Sequence, residues 1–290
     1  MNLITVFQQH PLFFYIVVTI FGLLIGSFLN VVIYRLPKMM EQEWRNECSL
    51  LLEISPPTDA NNKFNLILPG SSCPHCHIKI SPLDNIPIIS FILLRGKCKN
   101  CKVKISWRYP LIELSSSLLA LFIAIQFGLS IQMILVLLFT WSLLTLSVID
   151  IDHKLLPDNI TLPFLWIGII SNIFGYFTDI YSSLFGAIFG YLILWFVYIV
   201  FKVITGKDGM GHGDFKLLAM LGAWLGWQYL PLIIILSSLL GSIIGISLIM
   251  LKLHNRTQPI PFGPYLALAG WIALIYGDSL NSLYVNWTII

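Results

Sequence analysis

The chain has 290 residues, 57% of them hydrophobic and 11% charged, with a mean hydropathy of +0.83. That composition excludes an ordinary soluble domain and points to a protein with several membrane spans. A net charge of +3 selects no partner by itself, but the placement of the charges is informative.

About eight apolar runs of roughly 16 to 23 residues are each close to what a bilayer requires. They lie near 12–34, 111–128, 130–149, 160–177, 182–203, 216–231, 233–251 and 260–277. The weakest break falls at Trp227-Gln228-Tyr229-Leu230-Pro231. Without a true turn there, the count drops to seven. Met1 to His10 carries no Lys or Arg, so the first run is expected to be a span and not a secretory signal. In that run Gly22 and Gly26 form a small-xxx-small pair, which predicts a close helix contact, and Asn30 is expected to bond between helices.

The predicted fold is therefore an all-α polytopic membrane protein in three parts. Residues 1–34 form the first transmembrane helix, 35–110 a cytoplasmic insert, and 111–290 a transmembrane bundle. The insert is basic, with Arg35, Lys38, Arg45, Lys63, Lys79, Arg95, Lys97, Lys99, Lys102, Lys104 and Arg108. Six acids interleave these cations and no nucleic-acid fold signature is visible, so no nucleic-acid partner is expected. With the N-terminus outside, the insert falls inside, as do Lys154, Lys207 and Arg256. Lys202, Lys216 and Lys252 then flank inside ends, while Asp179 and Asp278 fall outside. That distribution follows the positive-inside rule.

Cys73-Pro74-His75-Cys76 and Cys98-Lys99-Asn100-Cys101 are two CxxC pairs. Two-residue gaps let each pair turn around one metal, and four thiolates suit tetrahedral zinc. A cytosolic loop is kept reduced, which disfavours the alternative of a disulfide or redox pair. Four protein ligands leave no open position, so the zinc is expected to be structural. Cys48 is left over as a free thiol, and no internal repeat is apparent.

Two acids stand at span ends. Asp150 closes the third run, and Asp214 follows Gly211-His212-Gly213 at the head of the sixth. An ionisable group at the margin of lipid is a functional-site hypothesis by default. Two carboxyls brought together there share a proton, which is the chemistry of an aspartic protease. Asp152 is expected to be satisfied in its loop, and Asp158 to serve as a helix N-cap or first-turn acid. Lys216 is read as an interface marker ahead of the alternative of a counter-ion, and His212 as a poor base. The glycines are expected to allow unusual backbone angles and a close approach. Competing readings are a presenilin-type intramembrane protease, a transporter using the acids as a proton or cation relay, and a non-catalytic assembly subunit. The zinc-like insert argues against the first. Transporters place such acids near the midplane, not at span ends.

Taken together the motifs resemble the type IV prepilin peptidases over essentially the whole length. The resemblance rests on Gly26-Ser27-Phe28-Leu29-Asn30, Arg35-Leu36-Pro37, the CxxC pairs with Asp84-Asn85-Ile86-Pro87 between them, and Arg108-Tyr109-Pro110 with Glu113. Asp150 to Asp158, Gly211 to Asp214 and Pro261-Phe262-Gly263-Pro264 complete it. Leu83 departs from the aromatic residue common there. The resemblance implies catalytic aspartates at Asp150 and Asp214 and cysteine motifs at Cys73, Cys76, Cys98 and Cys101. It implies cleavage of prepilin and pseudopilin leaders after a glycine, serving pilus biogenesis and type II secretion. A second activity would methylate the new N-terminal residue using S-adenosylmethionine, tied to Gly96 and Lys97. It also implies a bacterial inner membrane, with the active site facing the cytoplasm.

Overall fold

A computed structural model describes residues 3–53, 64–251 and 260–288. Lys63, Lys252, Arg256 and the side chain of Asp278 lie outside the described residues. The helices are α1 (Leu3–Gln9), α2 (Pro11–Leu51), α3 (Ile89–Leu93), α4 (Arg108–Phe127), α5 (Ile131–His153), α6 (Asp158–Ile173), α7 (Ile180–Thr205), α8 (His212–Leu225), α9 (Leu230–Met250) and α10 (Gly263–Thr288). No β-strand occurs among the described residues. The chain forms two compact units, Met1–Trp141 and Ser142–Ile290, whose boundary falls within α5.

A helix covers each of the eight apolar runs, but among the described residues five segments are long and apolar enough to cross a membrane: α2, α4, α5, α7 and Trp227–Met250. The protein is thus an all-α polytopic membrane protein, and the expected count of eight is not confirmed. For α6 and α8 the physical reason is length, and in α10 the described apolar part runs only from Gly263 to Gly277. At 1.5 Å per residue, the 16 residues of α6 and 14 of α8 give roughly 24 and 21 Å, short of a hydrocarbon layer of about 30 Å. The turn at Trp227 is real: Gly226, at φ 91°, ends α8, and a 3-10 turn over Trp227–Tyr229 leads into α9.

In the first unit α2 continues as helix to Leu51, beyond the apolar run and into the segment expected to begin the insert. It packs on α4 through the expected glycine pair. A Cβ on Gly22 or Gly26 would stand 2.8 Å from the Cα of Ser117 or 2.7 Å from that of Glu113. Ser116 donates to the Gly22 carbonyl at 2.7 Å, and Asn30 donates to the Tyr109 carbonyl at 3.1 Å. These bonds replace side-chain interdigitation where lipid supplies no hydrophobic drive.

In the second unit α8 is the axis, buried from Asp214 to Leu225 except at Lys216. Against α7, Gly186 and Gly222 face each other so closely that a Cβ on either would strike the other's backbone. Against α6, the Asn172 amide donates to the carbonyls of Ala223 and Trp224, and its oxygen accepts from the N–H groups of Phe177 and Thr178. One buried side chain thereby satisfies the open C-terminal end of α8 and the turn after α6. Asp179 caps α7 through the Ser182 N–H at 2.9 Å.

Candidate active site and candidate metal centre

Asp214 sits in the first turn of α8, where free backbone N–H groups favour an acid. Its N–H donates to the Gly211 carbonyl at 3.2 Å. Gly211 has φ −79°, open to any residue. The glycine that packing requires is Gly213, whose Cβ would meet Leu156 Cβ at 2.8 Å. The glycines therefore act by close approach, and the expectation of unusual backbone angles fails here. His212 packs its ring on Tyr198 and Phe215, a structural placement.

Asp150 lies in the last turn of α5, which ends at Lys154 with φ 55°. Its Oδ2 accepts the N–H of Gly263, at the head of α10, across 3.0 Å. A Cβ on Gly263 would stand 2.7 Å from the same oxygen and 3.1 Å from Leu156 Cδ2. Leu156 thus touches the glycines beside both acids, and the Asp150 and Asp214 carboxyls lie near enough to interact electrostatically. Among the described acidic residues, Asp150, Asp214 and Glu113 alone are buried. Asp152 is exposed. Asp158 is a first-turn acid of α6, whose N-cap is Pro157. The Asp158 carboxylate pairs with Lys216 at 2.6 Å, so Lys216 is a counter-ion and not only an interface marker.

Sequence reasoning gave Gly263 no role, because 113 residues separate it from its partner. The Pro261-Phe262-Gly263-Pro264 turn was the available signal.

In the first unit the four cysteines converge, with their sulfurs all within 4.8 Å of one another. Tetrahedral Zn–S bonds of about 2.3 Å set sulfurs about 3.8 Å apart, and Cys73 Sγ lies 3.8 Å from Cys101 Sγ. All are free thiols, and Cys48 is exposed and outside the cluster.

The two halves of the site are copies of one turn. Cys73 N–H donates to Ile78 O and Cys98 N–H to Val103 O; Ile80 N–H donates to Ser71 O and Ile105 N–H to Gly96 O. His77 and Lys102, at equivalent places, both take positive φ. Residues 71–80 and 96–105 are therefore a structural repeat, which the sequence had not revealed.

Backbone N–H groups of Cys76 and His75 draw the Cys73 thiol below its usual range, those of Cys101 and Asn100 do so for Cys98, and that of Ile78 for Cys76. Cys101 receives the N–H of Val103, but burial and the other three thiols push it up to about 11. Four sulfurs this close fit the donor set of a tetrahedral metal ion, whose charge would be needed to hold all four as thiolates.

Gly96 and Lys97 form the base of the second turn. Gly96 has φ +64°, a Cβ there would lie 3.1 Å from the Phe91 ring, and its N–H and C=O are both bonded within the insert. Lys97 is exposed.

Two buried acids at helix ends and a four-cysteine cluster thus stand in a polytopic all-helical membrane protein. Residues 20–127 match the bacterial peptidase A24 N-terminal domain, and residues 137–246 match the type IV leader peptidase family. A prepilin leader peptidase/N-methyltransferase of Pseudomonas aeruginosa is 53% identical, covering 99% of each chain. Proteins of the same description from Stutzerimonas stutzeri and Legionella pneumophila are 52% and 42% identical, covering 96% of this chain in each case and 96% and 97% of their own lengths. The chain belongs to the type IV leader peptidase family. No solved structure matches it.

Proposed function

We propose that the protein is a membrane aspartic endopeptidase that removes the leader from prepilins and pseudopilins after a glycine, and then methylates the new N-terminus. The observation that supports the peptidase reading is that Asp150 and Asp214 are both buried, with Leu156 lying against the glycine beside each, Gly263 and Gly213. One carboxylate takes a proton from water as the water oxygen bonds to the scissile carbonyl carbon. The other, protonated, gives its proton to the carbonyl oxygen. Collapse of the tetrahedral adduct breaks the C–N bond, and a proton passes to the leaving amine. The substrate's apolar helix stays in lipid and its basic leader in the cytoplasm, so the site faces the cytoplasm of the bacterial inner membrane.

Cys73, Cys76, Cys98 and Cys101 would hold a structural zinc ion, since four ligands leave no position for substrate. S-adenosylmethionine would serve as methyl donor for the new amine. Gly96 supports the turn, and Lys97 offers a cation to a carboxylate such as the donor carries.

The test is cleavage of a purified prepilin by the detergent-solubilised protein beside Asp150→Asn and Asp214→Asn. Cleavage after the leader glycine by the parent, lost in both variants with folding intact, is expected. Full activity in either variant removes that acid from the mechanism.

A further inference from the structure

Residues 83–108 contain six cations, Arg95, Lys97, Lys99, Lys102, Lys104 and Arg108, against one acid, Asp84. That acid is neutralised by Lys99 at 3.1 Å. Within the same stretch α3 presents apolar side chains outward. Ile92 is 66% exposed and Leu93 76%, with Leu83 before the helix at 77% and Trp107 after it at 70%. Ile89, also exposed, shares a helix face with Ile92 and Leu93 by spacing. The opposite face of α3 is the one that packs: Ser90 is buried and bonds to the Leu83 carbonyl, and Phe91 lies 4.8 Å from the Trp107 ring.

The height of this patch is set by α4, a candidate membrane span. The Ile88 N–H, at the head of α3, donates to Glu113 Oε2 at 2.8 Å. Glu113 lies five residues into α4, roughly 7–8 Å along its axis from Arg108. Trp107, the residue before α4, is a side chain typical of the membrane–water boundary. A segment tied both at that boundary and one and a half turns beyond it lies within the headgroup layer, where interfacial helices bury apolar faces to about 5–10 Å.

We infer that α3 and its flanks are an in-plane anchor in an anionic lipid surface, with Leu83, Ile89, Ile92 and Leu93 in the interface and Arg95 on acidic headgroups. The insert is then held to the leaflet that α4 enters, and the four-cysteine centre sits close to the lipid surface. The inference depends on α4 as a span and not on peptidase activity.

The experiment uses the full chain in phosphatidylglycerol-containing liposomes. A spin label is attached through an unnatural amino acid at position 93, leaving the cysteines untouched, and at position 47 on the part of α2 past its apolar run. Collisions with oxygen and with a nickel chelate are compared. Oxygen is expected to dominate at 93 and the chelate at 47. Label 93 is also expected to sit shallower when phosphatidylcholine replaces the anionic lipid. A water-like profile at 93 overturns the anchor. Exclusion of both reagents there also overturns it, since protein, either a second copy or the substrate, then covers the patch. Equal depth in the two lipids overturns the role of Arg95.

Discussion

Gly263 donates its N–H to Asp150 Oδ2 across 3.0 Å, joining the last turn of α5 to the first of α10. Nothing larger fits, because a Cβ would stand 2.7 Å from that oxygen and 3.1 Å from Leu156. Gly263→Ala must therefore move the acid, the leucine or α10. Misplacing a reacting group by about an ångström costs roughly 100-fold. Cleavage by this variant is expected to fall by about that factor, with helical content unchanged by circular dichroism. Parental rates would show that the contact does not position Asp150.

Gly186 and Gly222 bring α7 and α8 into backbone contact. Gly186→Ala has no flexible side chain to displace, so the helices must separate, at a cost of roughly 1–3 kcal/mol. Lower resistance to thermal unfolding in detergent is expected. Gly70→Ala, with nothing within 4 Å of the added carbon, is the matched change expected to leave stability alone.

Asp158 and Lys216 meet at 2.6 Å with side chains 49% and 30% exposed. A pair this open contributes less than about 1 kcal/mol. Asp158→Asn is expected to keep most prepilin cleavage, in contrast to Asp150→Asn. Loss of cleavage with normal stability would instead place Asp158 in the reaction.

The parts of the candidate site legible in the sequence were those whose chemistry is local. Each CxxC pair declares itself within four residues, and an acid at the end of an apolar run needs no partner to look unusual. The expected Gly22/Gly26 contact and the interhelical bond of Asn30 also follow from residue type at helical spacing. Contacts between distant segments were hidden. Asp158 and Lys216 each had an adequate local explanation, and they stand 58 positions apart in the chain. The repeat escaped notice because its two turns share mainly their cysteines and a closing Lys-Ile pair, while hydrogen bonding makes them equivalent. Helix α8 looked like a span because a helix buried in protein is as apolar as one buried in lipid.

Cys98→Ser removes one of four ligands whose mutual distances fit a tetrahedral centre. Metal content by elemental analysis is expected to fall from one ion per chain to little or none. The three remaining thiols should then react with a maleimide probe that the parent protein resists at those positions. Retention of a full complement of metal by this variant would rule out the four-cysteine site.

The shortness of α8 bears on supply of the second reactant. Hydrolysis consumes water, and hydrocarbon excludes it. A helix of 14 residues, roughly 21 Å long, leaves several ångströms of a layer about 30 Å thick unspanned. Wrapped by its own neighbours and not by lipid, α8 need not match that thickness, and its head, where Gly211 and His212 are exposed, opens to water. If Asp214 acts as proposed, the shortness of its helix is what brings hydrolysis its water.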